Sequence, residues 1–230
     1  DALARQTEPV IVDCGAGKSY LGALLCELVL APAGRGSLTA IEARPELSQQ
    51  AAARAARFGQ ERFHVATGAI DAIALAQRPN LVTALHACDT ATDDALALAI
   101  AQNADHVAVV PCCQAEVARQ LEKSRPDDPA IAALFEHPLH RRELGSHLTN
   151  VIRALVLEAH GYKVTVTELV GWEHSAKNEL IIGKRVNRFG AAARATLRAL
   201  LERFQIEPAL IRALAAKDLD PRAVPFGDRT

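Results

Sequence analysis

The chain has 230 residues, half of them hydrophobic, which suits one generous domain or a domain with a small appendage. Its formal net charge is -1, which excludes a broadly basic nucleic-acid binder; any RNA contact must rest on local positive charge. No apolar stretch is long enough to cross a bilayer and none reads as a secretory signal, so no membrane role is expected, and five cysteines without a spaced framework point to reduced thiols in the cytoplasm.

Short apolar runs alternate with amphipathic segments over the first half of the chain. Val10-Ile11-Val12 reads as a buried strand, followed by a glycine turn and a helix marked by Leu21, Leu24, Leu25 and Leu28. A second strand spans Ser37 to Ile41, and Pro45 opens an Ala- and Arg-rich helix. Phe63 to Ala66, Leu81 to Leu85 and His106 to Val110 give three more strands; Asp89 and Thr90 are placed to cap the helix carrying Leu96 and Ile100. Steady strand–helix rotation means a parallel sheet with helices on both faces. Residues 122–145, with Pro126, Pro129 and Pro138 among charges, suggest an insertion or lid. A helix with Leu148, Val151, Ile152, Leu155 and Ala159 on one face then stops at Gly161. Lys163 to Val170 and Asn178 to Gly183 look like strands joined too tightly for a helical crossover, so they pair antiparallel. Helices bearing Leu197, Leu200, Leu201 and Phe204, then Leu210, Ile211 and Leu214, form a C-terminal appendage over 188–230, after a main domain over 1–187.

The turn Asp13-Cys14-Gly15-Ala16-Gly17-Lys18-Ser19-Tyr20 carries the strongest signal, because two glycines let the backbone approach a ligand at a helix N-terminus. A P-loop would need glycine at Val12, and a dinucleotide fingerprint would need it at Tyr20, so both are rejected. Asp-x-Gly-x-Gly directly after a strand resembles the S-adenosylmethionine (AdoMet) turn of class I methyltransferases, whose sheet also ends in one antiparallel hairpin. The resemblance implies an α/β, Rossmann-like, mostly parallel seven-stranded fold. It also implies a cofactor held by Asp13, Gly15, Gly17, Tyr20, Glu42, Thr67, Gly68, Ala69 and His86. Glu42 closes the second strand, where a carboxylate can accept both ribose hydroxyls.

Leu85-His86-Ala87-Cys88-Asp89 and Pro111-Cys112-Cys113-Gln114 follow the fourth and fifth strands, where open α/β sheets bind ligands. With Lys177-Asn178-Glu179-Leu180 they are similar to the tRNA acceptor-stem 2′-O-methyltransferases and to a sister group containing the glutathione-S-transferase C-terminal-domain-containing protein. That likeness spans about Val10 to Lys184; its first motif usually reads Leu-His-x-Cys-Gly, with Asp89 here in the glycine position. It implies an RNA acceptor, tRNA preferred, with catalytic candidates His86, Cys88, Asp89, Cys112 and Cys113. Four uses of this rim stay open. The thiols can be small buried hydrophobes. They can be nucleophiles that add to a pyrimidine. They can join His86 or His140 on a metal, although adjacent cysteines chelate poorly, so none is assigned. Lastly, Asp89 or His86 can accept a proton.

Arg141 and Arg142, among His137, His140 and His147, form one basic cluster; Lys184, Arg185 and Arg188 form another. Either can contact phosphates, while Glu136 and Glu143 allow the first to be an ordinary solvated helix start. Trp172 and Tyr162 can stack on a base or simply pack. Two other outcomes are a small-molecule methyltransferase and a catalytically silent AdoMet-binding scaffold.

Overall fold

A computed structural model describes residues 3, 6–59, 62–85, 87, 89–112, 114–171, 173–174, 178–188 and 190–223. His86, Cys88, Cys113, Trp172 and Lys177 lie outside the described residues.

Seven strands form one sheet in the order β3-β2-β1-β4-β5-β7-β6. They are β1 (Val10–Cys14), β2 (Ser37–Glu42), β3 (Phe63–Thr67), β4 (Leu81–Leu85), β5 (His106–Val110), β6 (Tyr162–Glu168) and β7 (Glu179–Arg185). The first five are parallel, and β7 runs against both β5 and β6, as the strand spacing demanded. Strand side chains alternate between faces. Val12, Val82, Val107, Val109 and Ile181 enter the larger core, while Ile11, Leu38 and Phe63 enter a smaller one.

Over the smaller core lie α1 (Tyr20–Leu25), a π-helical turn (Cys26–Leu30) and α3 (Pro45–Ala55), while the exposed α2 (Ala31–Ala33) continues the turn. Here the structure departs from the leucine stripe read in the sequence: Leu24 and Leu28 face outward, and Gly22, Cys26 and Leu30 face the sheet. A Cβ on Gly22 would lie 3.0 Å from the Phe63 ring, so the glycine lets α1 sit low on the sheet. The π turn then rotates the following residues relative to a straight helix.

The larger core is covered by α4 (Ala91–Ala101), α5 (Glu116–Lys123), α6 (Pro129–Ala133), α7 (Pro138–Ala159), α8 (Ala191–Phe204) and α9 (Ala209–Ala215). Residues 122–145 supply α6 and the first turns of α7, and Phe135 from this segment enters the main core. The C-terminal helices share that core as well: Leu197, Leu201, Leu210, Ile211 and Leu214 are all buried in it. Among the described residues, no helix is long and apolar enough to cross a membrane.

Candidate active site

The turn after β1 is held by hydrogen bonds to the end of β2 and back to Asp13 on β1. Gly15 and Gly17 take φ of +62° and +57°, and Ser19 also adopts the left-handed region, at +53°. The Ala16 N–H donates to the Ile41 carbonyl (3.0 Å), and the Gly17 N–H donates to Glu42 Oε2 (2.7 Å). Glu42 Oε1 accepts from the Arg44 N–H and from Arg44 Nε, and its carbonyl accepts from the Gly68 N–H. Burial pushes the Glu42 carboxyl up, but the Arg44 and Gly17 hydrogen bonds outweigh it and hold the group below its ordinary value. The buried carboxylate therefore stays charged, and with two donors on Oε1 and one on Oε2 it keeps one lone pair, on Oε2, for a further donor.

Asp13 lies beneath the turn. Thr83 Oγ1 donates to its Oδ1 (3.0 Å) and Ser19 Oγ to its Oδ2 (3.4 Å). Burial raises its carboxyl to about 6, against the pull of these hydroxyls and the Gly22 backbone. Thr67 Oγ1 meets Ser48 Oγ at 2.5 Å, and Ala69 caps the 3-10 turn Ile70–Ala72 that follows β3. Tyr20 points outward under the Arg54 guanidinium, 4.1 Å from its ring centroid, while Arg54 also donates to the Lys18 carbonyl. Asp13, Gly15, Gly17, Glu42, Thr67 and Gly68 thus share the carboxyl ends of β1, β2 and β3.

These residues fit AdoMet. A Cβ at Gly17 would meet nothing within 4 Å, so that stretch of turn faces open space and a ligand can come close to the backbone. At Gly15 the opposite holds: a Cβ would stand 3.1 Å from the Ala87 Cβ, because the turn presses on the segment after β4. Glu42, charged and one strand away, could accept a ribose hydroxyl on its remaining lone pair, and the open backbone at Gly17 would leave room for the rest of the cofactor.

The acceptor rim begins where Leu85 and Val110 leave β4 and β5 side by side. Of the sequence candidates, Asp89 and the half-buried Cys112 are described there. Asp89 adopts φ +49°, the left-handed region that glycine supplies freely and that Asp tolerates better than most residues. Its Oδ1 accepts from the Ala115 and Glu116 N–H groups, and its Oδ2 from Arg119 (3.0 Å). Asp89 therefore caps α5, whereas the sequence had it capping α4. Burial raises its carboxyl, but the bonds from Arg119, Ala115 and Glu116 outweigh this and keep it below the ordinary range. With three donors on it, this carboxylate acts as a clamp between two loops and offers little as a base.

Sequence reasoning missed the polar cluster behind this rim. Arg153 on α7, 1 % exposed, donates to Asp93, Asn150 and the Asp89 carbonyl; Asn150 also bonds Gln114 and Glu179. The signal was available, since Asn150 and Arg153 stand among Leu148, Ile152, Val156 and Leu157 on the apolar side of the helix.

The basic clusters fare differently from expectation. Arg141 is largely covered and bonded to Glu122 and the Glu136 carbonyl; Arg142 is 70 % exposed and paired with Glu143. Lys184 and Arg185 sit at the amino-terminal end of the parallel strands. Because β7 is antiparallel, Lys184 lies opposite His106 at the start of β5, roughly 13 Å of strand from the rim. A phosphate contact made by this pair would therefore lie away from the rim. Tyr162 is buried, donating to the Ala104 carbonyl (2.8 Å), and so packs instead of stacking on a base. Among the described residues no His, Cys, Asp or Glu cluster could hold a metal.

No curated protein matches the sequence. An rRNA methylase from Streptococcus thermophilus superposes with a TM-score of 0.49 at 11 % identity, over 80 % of this chain and 92 % of that one. Precorrin-6y C5,15-methyltransferase from Geobacter metallireducens gives 0.44 at 14 % identity, over 80 % and 84 %. A family model described as a methyltransferase domain matches residues 1–120, just over half of the chain. The chain belongs to that methyltransferase-domain family, and with a turn and carboxylate that fit the cofactor it is an AdoMet-dependent methyltransferase.

Proposed function

We propose that the enzyme methylates RNA in the cytoplasm, with tRNA the preferred acceptor. The observation that carries this reading is the left-handed backbone of Asp89. At Asp89 itself the backbone takes the conformation that the glycine of the tRNA 2′-O-methyltransferase motif would supply. The two motif-bearing segments also leave neighbouring strands at one level, with Ala87 against the Gly15 turn, so acceptor and cofactor sites adjoin.

AdoMet supplies an electrophilic methyl group on a sulfonium. Gly15 and Gly17 accommodate it at the turn, Glu42 orients its ribose, and the rim after β4 and β5 holds the acceptor in line. Alignment of this kind is worth up to about 7–11 kcal/mol of barrier. With the Asp89 carboxylate engaged by Ala115, Glu116 and Arg119, the acceptor proton is assigned to His86.

A second reading, a small uncharged acceptor, is favoured by one observation: Arg119 beside Asp89, and Arg141 and Arg142 at the start of α7, are each paired with a carboxylate. Incubation with methyl-labelled AdoMet and separated RNA, protein and metabolite pools decides. Label in RNA is expected; label confined to metabolites supports the second reading. Cofactor binding without transfer to any pool identifies a silent scaffold. Cys88→Ser and Cys112→Ser, assayed separately, test thiolate addition, which unchanged turnover in both excludes.

A further inference from the structure

We infer that Arg153 is a positioning residue for the acceptor rim, holding the loops after β4 and β5 in register from beneath. The inference rests on the acceptor site lying at that rim.

The guanidinium uses all three of its nitrogens. Nε donates to Asp93 Oδ1 (2.7 Å), Nη1 to Asn150 Oδ1 (3.2 Å) and Nη2 to the Asp89 carbonyl (3.0 Å). Asn150 extends the reach. Its Oδ1 also accepts from Gln114 Nε2 (3.2 Å), just after the cysteine pair, and its Nδ2 donates to Glu179 Oε2 (2.9 Å) at the start of β7. Ser146, one turn earlier on α7, donates to Gln114 Oε1 (2.9 Å). One helix face therefore grips the segments beside three strand ends. Asp89, whose carbonyl Arg153 holds, in turn holds the first amides of α5.

Packing alone does not call for this. Leu148, Ile152, Val156 and Leu157 already fill the core along α7, and a buried ion pair seldom adds stability over apolar residues of equal volume. What a planar fork adds is direction: it fixes a carbonyl, an amide and a carboxylate relative to one another. Asp89 needs such fixing, since a non-glycine residue at φ +49° is strained and the grip on its carbonyl opposes relaxation.

The test compares wild type with Arg153→Lys, which keeps the charge facing Asp93 and loses the fork. A double variant, R153M/D93L, removes the pair without stranding a buried charge, and covers the case in which the lysine variant fails to fold. Amide hydrogen exchange is expected to rise at least tenfold at Asp89, Ala115 and Glu116, and to stay unchanged across Gly15 to Ser19. In parallel, kcat should fall at least tenfold while AdoMet affinity by calorimetry holds within twofold. Exchange that stays within twofold at those amides overturns the inference. So does a rise that spreads equally into β1 with a matching loss of AdoMet affinity, which marks a general stability effect. If wild type methylates no pool, the proposed function fails, and the exchange pattern still decides the role of Arg153.

Discussion

Asp13→Asn should flatten the acid side of the stability profile. The wild-type carboxyl is 2 % exposed, with two side-chain hydroxyls and one backbone group among the described residues to replace water. Burial is the largest influence and lifts the folded-state value from 3.8 to about 6. A group whose folded value is raised is most favourable to the fold while protonated in both states, below the unfolded value. That advantage is lost as pH rises through the folded one. Ionising Asp13 inside the fold thus costs about 3 kcal/mol between about pH 4 and about pH 7. Asparagine keeps the shape, accepts from one hydroxyl and donates to the other, and has nothing to ionise. Urea denaturation of both proteins at several pH values reads the difference in unfolding free energy. Asp94, also raised to about 6 by burial and by Asp71 and Asp93, is present in both and cancels. The difference should move in favour of Asn by about 3 kcal/mol across that window. A difference constant to within about 0.5 kcal/mol would refute the placement of a buried, ionisable Asp13 beneath the turn.

Three further outcomes follow from particular contacts. Glu42→Gln removes the charge beside Gly17 and Arg44; AdoMet affinity by calorimetry should drop at least about tenfold, or about 1.4 kcal/mol, with thermal stability less affected. At Asp89, alanine loses the α5 cap and keeps the backbone strain, whereas glycine loses the cap and relieves the strain. Asp89→Ala should therefore be the less stable by about 1 kcal/mol in denaturant titrations, and equal stabilities would contradict the left-handed assignment. Leu197→Ala in α8 opens the main core and should cost about 2–5 kcal/mol in a single cooperative transition. A separate early transition for the C-terminal helices would show that they do not share that core.

The strands were legible because a parallel sheet covered on both faces writes itself as short contiguous apolar runs, as at His106–Val110. The α5 helix was not, because only Val117 and Leu121 of its eight residues are buried and the remainder reads as a polar connection. The outward turn of Leu24 and Leu28 was hidden too, since a leucine stripe does not reveal that Gly22 takes the helix closer to the sheet than leucine could. For the site, the glycine turn and Glu42 could be read because their spacing is local to strand ends. Arg153 could not be assigned partners, because Asp93 and Asp89 lie 60 and 64 positions away in sequence.

Two charge readings turn on chain direction and backbone conformation, which composition does not carry. Lys184 and Arg185 close an apolar strand much as the rim residues follow theirs, yet β7 delivers them to the opposite end of the strands because it runs the other way. Direction alone decides which basic residues can face an acceptor. Asp89 illustrates the converse. By residue type it departs from a glycine motif and suggests a disabled site; by dihedral it occupies the glycine's place, with the strain offset by capping α5 and pairing with Arg119. A substitution that preserves φ and adds a clamp does not by itself argue for catalytic silence. It moves the search for the proton acceptor away from this carboxylate and leaves the alignment of the rim to α7.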